Sequence, residues 1–380
     1  MTTTQQPQRA PRRRPTFHPL RVAAVETLTH DAVAITFDVP PELREQYDFA
    51  AGQHLTIRSE MDGEEVRRNY SICSPSGGPL RVAVRRLYEG GFSAYATRKL
   101  SPGDVLDVLT PTGRFTLRPD PERARHVAAI VGGSGITPIV SIMSTLLEQE
   151  PGSRATLVYG NRTSGSIMFL EELADLKDRF TSRFTLLNVL SRETQGSALL
   201  EGRVDQAKVT TLLDTIVPVG DVDDWFLCGP AGMVTGGQDT LAARGADTRH
   251  VHLELFHPEG EEPNAGAAGA ASGGGAHGVR GDEVDDADAS QVTVLLGGRS
   301  TSLRVARGGE PILDAALRKR EDAPYACKGG VCGTCRAKLL SGDVRMDRNH
   351  ALEDDETEAG FVLACQSHPV TEEVTLDFDQ

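Results

Sequence analysis

Cysteine is scarce in this sequence of 380 residues, which contains only six. Four of the six fall in one pattern near the carboxyl end, and the remaining two are Cys73 and Cys228. Because only these two remain outside the pattern, we expect no disulfide framework and a reducing setting, which we expect to be the cytoplasm.

Long hydrophobic runs are also few. Residues 126–147 contain no Asp, Glu, Lys or Arg, and this stretch is long enough to suggest a membrane span. Gly132, Gly133, Gly135 and Pro138 divide it, however, so we expect a short apolar strand followed by a helix. The amino-terminal arginines precede no hydrophobic segment, so we also expect no signal peptide.

The chain lacks a concentrated positive charge of the kind that binds nucleic acids. Its net charge is −14, and residues 258–289 supply half of it, with eight acidic residues against Arg280. This segment is rich in Gly and Ala, so we expect a flexible acidic linker rather than a docking face. Residues 1–16 contain several arginines but are short and Pro-rich, and we expect a disordered basic tail.

A cysteine-rich loop lies near the carboxyl end. The C-x4-C-x2-C…C spacing of plant-type 2Fe–2S clusters is formed by Cys327, Cys332, Cys335 and Cys365. Gly329, Gly330 and Gly333 let the backbone turn sharply and direct N–H groups at sulfur. A structural zinc site is the alternative, but zinc ribbons usually pair two C-x2-C knuckles. The spacing therefore predicts a 2Fe–2S cluster with these four ligands.

Residues 17–120 contain short apolar runs separated by turns, which favour a small antiparallel β-barrel. On one predicted strand, Arg68, Tyr70 and Ser71 could offer a cation to a pyrophosphate, a ring for stacking and a hydroxyl for a hydrogen bond. The alternative is a polar surface strand with a packed tyrosine. A glycine turn at 90–93 precedes a predicted helix at 94–100, and such a helix start can bind phosphate.

Residues 121–257 alternate apolar strands with amphipathic helices, a pattern that predicts a parallel, doubly wound sheet. The first strand, 127–131, leads into a loop that ends in Thr137 and Pro138. Pro138 replaces the last glycine of the G-x-G-x-x-G fingerprint, but proline suits the first turn of a helix. The loop can therefore still bind a pyrophosphate.

No acidic residue stands where dinucleotide domains often bind the ribose 2′-hydroxyl. The second strand ends at Arg162 and a later strand ends at Ser191 and Arg192. These three residues could bind a 2′-phosphate, which favours NADPH, although they could also be ordinary exposed loop residues. Cys228 ends a further strand, where α/β sheets place their ligands, and we expect it to line the nicotinamide site.

Five motifs occur together and in a fixed order: R-x-Y-S-x-x-S, G-x-x-S, a glycine loop ending in Thr-Pro, C-G-P-x-x-M and the cysteine loop. This series resembles the ferredoxin–NADP reductase family with a ferredoxin domain fused at the carboxyl end, and the resemblance covers residues 17–380. It implies an antiparallel FAD-binding β-barrel at 17–120, a doubly wound NADP-binding α/β domain at 121–257 and a β-grasp 2Fe–2S ferredoxin domain at 290–380.

The resemblance also implies roles for individual residues. Ser71 would lie near the reactive nitrogen of the flavin and Cys228 near the nicotinamide, as the catalytic pair. Phe256 looks like the aromatic that the family lays against the flavin, with core packing as the alternative. The FAD-binding residues would be Arg68, Tyr70, Ser71, Ser74, Gly91, Phe92 and Ser93, and those near the nicotinamide Gly133, Thr137 and Cys228.

The function implied by the resemblance is transfer of electrons from NADPH to FAD, then to the 2Fe–2S cluster and then to a di-iron oxygenase of a multicomponent enzyme. The acidic run at 353–358 could dock that partner or could be plain solvated surface. Two rival functions remain open from the sequence. One is delivery of electrons to another ring-hydroxylating or demethylating oxygenase. The other is a non-catalytic electron-carrier subunit that pyridine nucleotide does not reduce.

Overall fold

The computed structural model describes residues 15–256 and 289–380, with the exception of 62, 87, 88 and 353. The basic tail and the acidic linker expected at 1–16 and 258–289 lie almost wholly outside these residues. Within the described ranges, no helix combines the length and the apolar character that crossing a membrane requires. The uncharged stretch 126–147 forms a strand, a short 3-10 turn and a helix.

The amino-terminal part is a six-stranded antiparallel sheet that begins at residue 17. Its strands pair in the order β4-β3-β6-β1-β2-β5. A bridge between Ile72 and Val82 joins the two edges and closes the sheet into a barrel. The helix α1 covers the barrel and starts at Gly91, three residues earlier than the sequence predicts. The elements are β1 Phe17–Thr29, β2 Ala32–Asp38, β3 His54–Met61, β4 Glu64–Ser71, β5 Arg81–Arg85, α1 Gly91–Arg98 and β6 Val105–Leu109.

The middle part is a five-stranded parallel sheet with the order β11-β10-β7-β8-β9. Alternate residues of β7 face opposite layers: Val127, Ala129 and Val131 pack with α2 and α3, whereas Ala128 and Ile130 pack with α4 and α5. Burial on both faces explains why this strand is continuously apolar. The elements are β7 His126–Gly132, α2 Ile136–Gln149, β8 Arg154–Asn161, α3 Leu170–Arg179, β9 Phe184–Leu190, α4 Gln206–Thr215, β10 Asp224–Pro230, α5 Ala231–Ala243 and β11 Val251–Phe256.

The carboxyl-terminal part is a mixed sheet with the order β13-β12-β18-β14-β16 and an additional two-stranded sheet, β15-β17. The helix α6 packs its buried side chains into the core of this part. The elements are β12 Ala289–Leu296, β13 Arg299–Ala306, α6 Ile312–Leu317, β14 Arg336–Ser341, β15 Val344–Met346, α7 Asp354–Glu358, β16 Phe361–Leu363, β17 Ser367–Pro369 and β18 Glu373–Asp377.

Candidate active site

The parallel sheet reverses its strand order between β7 and β10, and ligands of open α/β sheets bind outside the strand ends at such a switch point. The 3-10 turn Gly133–Gly135 follows β7 and packs directly on the end of β10. A Cβ atom at Gly135 would lie 2.4 Å from the carbonyl oxygen of Cys228, so only glycine permits this approach. The glycine loop and Cys228 therefore lie side by side.

Hydrogen bonds hold the glycine loop in place. The Tyr159 hydroxyl donates to the carbonyl of Gly133 at 3.0 Å. The Thr137 hydroxyl, which is buried, donates to the carbonyl of Ser134 at 3.1 Å. These two hydrogen bonds fix the loop before any nucleotide binds.

Three side chains from three strands meet at the mouth of this crevice. The Ser71 hydroxyl, at the end of β4, donates to Oε2 of Glu254 at 3.5 Å. The Cys228 thiol, near the end of β10, donates to the same oxygen at 3.7 Å. Ser71 and Cys228 are both buried. The barrel and the parallel sheet are therefore joined at the carboxyl group of Glu254.

The surroundings of Glu254 and Cys228 keep both side chains protonated. Burial, with a smaller contribution from the charge of Cys332, raises the pKa of Glu254 to about 8, against the lowering effects of the hydrogen bonds from Cys228 and Ser71. Burial also raises the pKa of the Cys228 thiol well above its ordinary value, and the neighbouring Glu254 adds to this. At neutral pH the carboxyl holds a proton and the thiol is a poor nucleophile.

Sequence reasoning missed Glu254, although it selected Phe256 from the same strand end. In the parallel register of β10 and β11, Cys228 lies opposite Glu254 and Pro230 opposite Phe256. Phe256 is half-buried and packs against the core on the α2 side of the sheet. A sequence pattern could have revealed Glu254. It is an acidic residue inside an otherwise apolar strand, beside a strand that has a cysteine near its end.

The predicted flavin-binding residues lie around the junction of β4 and α1. The rings of Tyr70 and Phe92 are 5.6 Å apart between centroids, which fixes the strand against the helix. Arg68 donates to the backbone carbonyl of Arg67 at 2.9 Å and makes no ion pair within the described part of the chain. No side chain caps the start of α1 at Gly90.

This junction fits a flavin dinucleotide. A cation without a carboxylate partner and an uncapped helix start are what a pyrophosphate requires. Not every predicted residue offers its side chain. Phe92 lies in the barrel core, and the buried Ser74 donates its hydroxyl to the carbonyl of Pro79. Ser93 is buried in the first turn of α1, next to Gly91.

The predicted 2′-phosphate residues line one cavity of about 210 Å³, formed by Arg162, Ser191, Arg192 and Arg203. Backbone bonds from Ser191 to Asn161 and from Arg192 to Arg162 hold the ends of β8 and β9 together there. Arg203 was missed by sequence reasoning because it follows a loop and no strand ends at it. Three arginines and a hydroxyl suit a dianionic phosphate.

The four cysteines of the predicted cluster form two close pairs. The thiols of Cys327 and Cys332 are hydrogen-bonded, which lowers the pKa of Cys332 to about 6. The thiols of Cys335 and Cys365 form a second hydrogen bond, which lowers the pKa of Cys365. The N–H of Gly329 donates to the sulfur of Cys327 at 3.3 Å. Two close pairs of thiols fit a two-iron cluster in which each iron takes two thiolates.

Comparison with known proteins places these sites in context. Residues 19–117 match the oxidoreductase FAD-binding domain family, residues 129–239 the oxidoreductase NAD-binding domain family and residues 294–370 the 2Fe–2S iron–sulfur cluster binding domain family. Over 365 residues the chain is 45% identical to one of the subunits of 1,2-phenylacetyl-CoA epoxidase from Escherichia coli (strain K12), covering 96% of this chain and 98% of that one. The chain belongs to the ferredoxin–NADP reductase family with a carboxyl-terminal 2Fe–2S domain.

Other members of this family are similar over nearly the same length. The reductase is 33% identical to the ferredoxin reductase component of 3-ketosteroid-9-alpha-monooxygenase from Rhodococcus rhodochrous, over 94% of this chain and 96% of that one. It shares its fold with phthalate dioxygenase reductase, at a TM-score of 0.55 and 24% identity, over 95% of this chain and 98% of that one. The predicted architecture of barrel, parallel sheet and ferredoxin domain is confirmed.

These relationships establish the class of chemistry. The chain is an NAD(P)H-dependent oxidoreductase with domains for FAD, a pyridine nucleotide and a 2Fe–2S cluster. Its relatives are reductase components of multicomponent oxygenases. Electron transfer between these centres is the function of the reductase.

Proposed function

We propose that this reductase passes electrons from NADPH through FAD and the 2Fe–2S cluster to a di-iron oxygenase that epoxidises the ring of phenylacetyl-CoA. The observation that carries the electron path is the position of Glu254. Its carboxyl accepts hydrogen bonds from Ser71 of the barrel and Cys228 of the nucleotide domain. The candidate flavin and nicotinamide sites therefore meet at this carboxyl.

When bound, FAD would accept a hydride from NADPH, and the cluster would carry the electrons onward one at a time. The protein's part is to hold and orient. Gly133, which has no side chain, would let the loop approach the nucleotide closely, whereas Gly135 lets the loop pack on Cys228. Thr137 lies in the first turn of the helix behind the loop. Positioning is the main contribution that a hydride step requires.

Glu254 adds a proton to this arrangement. Its carboxyl is protonated near neutral pH, and the Ser71 hydroxyl connects it to the flavin side of the crevice. We assign Glu254 as the proton store and Ser71 as the relay, since reduction of a flavin takes up a proton in addition to the hydride. Cys228 would line the nicotinamide site as a buried thiol.

The preference for NADPH over NADH rests on the cavity at the ends of β8 and β9. Arg162, Arg192 and Arg203 surround it together with Ser191, and each arginine can donate charge-assisted hydrogen bonds to a 2′-phosphate. NADH has only a hydroxyl at that position, which these cations bind less strongly. The two cysteines outside the cluster pattern, Cys73 and Cys228, cannot supply a disulfide framework, which supports a reducing compartment such as the cytoplasm.

The acceptor follows from the relation to the Escherichia coli epoxidase. The test is NADPH oxidation and product formation with the purified epoxidase oxygenase subunits and phenylacetyl-CoA, beside the 3-ketosteroid monooxygenase oxygenase and its steroid substrate. We expect coupled turnover with the former and a rate at least tenfold lower with the latter. Turnover with the steroid oxygenase and not with the epoxidase would overturn the proposed acceptor, but it would not contradict the proposed electron path within the reductase.

A further inference from the structure

The ferredoxin domain contacts the barrel through one face, which we call the entry face and define by Tyr325 and Glu356. The guanidinium of Arg67 lies 4.0 Å over the Tyr325 ring, and the Tyr325 hydroxyl donates to Glu65 at 3.3 Å. Both Arg67 and Glu65 belong to β4 of the barrel. Contacts on this face thus lead from the strand that carries Ser71 to the cluster loop.

Glu356 completes the entry face and corrects the expectation for the acidic run. It pairs with Arg114 of the barrel and, at 2.9 Å, with Arg336 of its own domain. Its side chain is only 5% exposed. At least this member of the 353–358 run is directed into the molecule and is not free to dock an oxygenase.

A different segment covers the cluster loop on the solvent side. We call residues 345–350 the exit segment. The N–H of His350 donates to the carbonyl of Gly330, inside the cysteine loop, at 3.0 Å. The N–H of Asp347 donates to the carbonyl of Gln366, the residue after Cys365, at 2.9 Å. Single hydrogen bonds therefore connect this surface segment to both parts of the cluster-binding sequence.

The exit segment is held rigidly. Asp347 accepts from the buried His368 at 2.9 Å and pairs with Arg345 at 2.8 Å. The amide oxygen of Asn349 accepts from the N–H of Leu352 at 2.8 Å and closes the turn that follows. A surface fixed in this way can bind a partner at a low cost in conformational entropy.

The exit segment carries two arginines against one carboxylate, Asp347, although the chain as a whole is acidic. Arg345, Arg348 and His350 are all exposed while the entry face is in contact with the barrel. Arg345 is 61% exposed, and Arg348 makes no ion pair with any described residue. Arginine is enriched in protein interfaces, and complementary charge guides association.

We propose that the exit segment docks an acidic surface of the oxygenase and that electrons leave there while the entry face stays against the barrel. In each transfer one electron leaves the reduced cluster and one enters the iron centre of the partner, with NADPH as the source and no bond made or broken. This inference rests on the proposed function, because the oxygenase is the partner. It makes release of the ferredoxin domain from the barrel unnecessary during delivery.

The docking test compares a double charge reversal, Arg345→Glu with Arg348→Glu, with the control Arg299→Glu. Arg299 is an exposed arginine of the same domain, at the start of β13 on the far edge of the sheet. The dissociation constant for the oxygenase subunits is measured by calorimetric titration at low and high salt. We expect the double variant to bind at least tenfold more weakly at low salt and to lose most of its salt dependence, while the control binds as wild type does.

Two further readouts distinguish the loss of a docking surface from damage to the fold or the cofactor sites. NADPH–ferricyanide reductase activity and the paramagnetic resonance of the reduced cluster should be unchanged in the double variant. Unchanged affinity for the oxygenase in the double variant would overturn the proposed surface. If the wild-type chain itself failed to bind or reduce the oxygenase, the proposed function would fall, and the docking inference with it.

The fixed contact is tested by a reducible bis-methanethiosulfonate cross-link between Arg114→Cys and Glu356→Cys, because the native side chains at these positions meet only at their tips and a direct disulfide would be too short. A second cross-link, between Glu65→Cys and Tyr325→Cys, is used in case the first disturbs folding. We expect either cross-linked protein to keep supporting turnover of the oxygenase. Loss of turnover in both cross-linked proteins, with recovery on reduction of the added bridge, would show that the ferredoxin domain must leave the barrel and would overturn the inference.

Discussion

Glu254 shows how a single carboxyl acquires a function from its surroundings. In the sequence it is one acid among 54 acidic residues. In the fold it is joined to Ser71, which is 183 positions away in the chain, and to Cys228 on the adjacent strand. Burial then raises its pKa to about 8, so that it holds a proton where an exposed carboxyl would not.

Replacing Glu254 by Gln keeps the shape of the side chain and removes its titration. We expect flavin reduction by NADPH, measured by anaerobic stopped flow near pH 7, to slow by about 100-fold, the low end of what a positioned proton donor contributes. The wild-type rate should fall as pH rises past about 8, where the carboxyl loses its proton. The variant should lack this fall, and the exposed control Glu122→Gln should behave as wild type.

The same residue predicts a stability effect with a defined sign. The pKa of Glu254 is raised from 4.5 in the unfolded chain to about 8 in the folded chain. The folded state therefore binds the additional proton between these values, and the free energy of unfolding should decrease as pH rises through them. Glu254→Gln should reduce that slope in denaturant titrations; an unchanged slope would contradict the assignment of a carboxyl that is protonated in the folded state.

Arg203 is the residue that most sharply tests the choice of nucleotide. Loss of a charge-assisted hydrogen bond costs about 1.5–3 kcal/mol. Arg203→Ala should therefore raise the KM for NADPH by about 10- to 100-fold and leave the KM for NADH unchanged, with Arg192→Ala acting in the same direction. Arg179→Ala, on the outer face of α3, is the control. An equal effect on both nucleotides would remove the 2′-phosphate assignment.

At the switch point of the parallel sheet, the loop after β7 packs against the end of β10 only because the two backbones approach each other closely. The sequence predicts the glycine loop after the first strand of the parallel sheet because glycines and Pro138 interrupt an apolar run. It does not show that the loop presses against Cys228, since this contact depends on β10 being the neighbour of β7. Strand order is a property of the whole sheet.

Gly135→Ala tests this close approach. The added Cβ would meet the carbonyl of Cys228 at 2.4 Å, so the backbone must move. We expect a loss of about 1–3 kcal/mol in the free energy of unfolding, as for other overpacked sites, together with weaker NADPH binding. Gly165→Ala, which meets no atom within 4 Å, is the matched control. Normal NADPH affinity in the Gly135 variant would show that the loop does not contact the nucleotide.

At the scale of the whole molecule, the fold was more predictable than the arrangement of its parts. Apolar periodicity predicts the barrel and the parallel sheet, and cysteine spacing predicts the cluster ligands. The contact of Arg114 with Glu356 joins two parts of the chain separated by the acidic segment at 258–289, and no local pattern encodes it. The same holds for Arg67 over Tyr325.

Arg114→Ala tests whether this contact assists internal electron transfer. Arg114 is 44% exposed, so its ion pair with Glu356 is partly screened and contributes about 1 kcal/mol. We expect electron transfer from flavin to cluster, followed by stopped flow, to slow about fivefold and to become less sensitive to salt. Arg118→Ala, an exposed arginine at the end of the barrel, should have no effect. A slower hydride step instead would indicate that Arg114 acts on the flavin site.

The central claim is that one chain carries electrons from NADPH to a 2Fe–2S cluster. Its most direct test is to add NADPH to the isolated, cofactor-loaded protein without oxygen and to follow the flavin absorbance and the electron paramagnetic resonance of the cluster together. We expect the flavin to bleach and the signal of a reduced 2Fe–2S cluster to appear after it. A cluster that dithionite reduces but NADPH does not, with the flavin still oxidised, would contradict the claim.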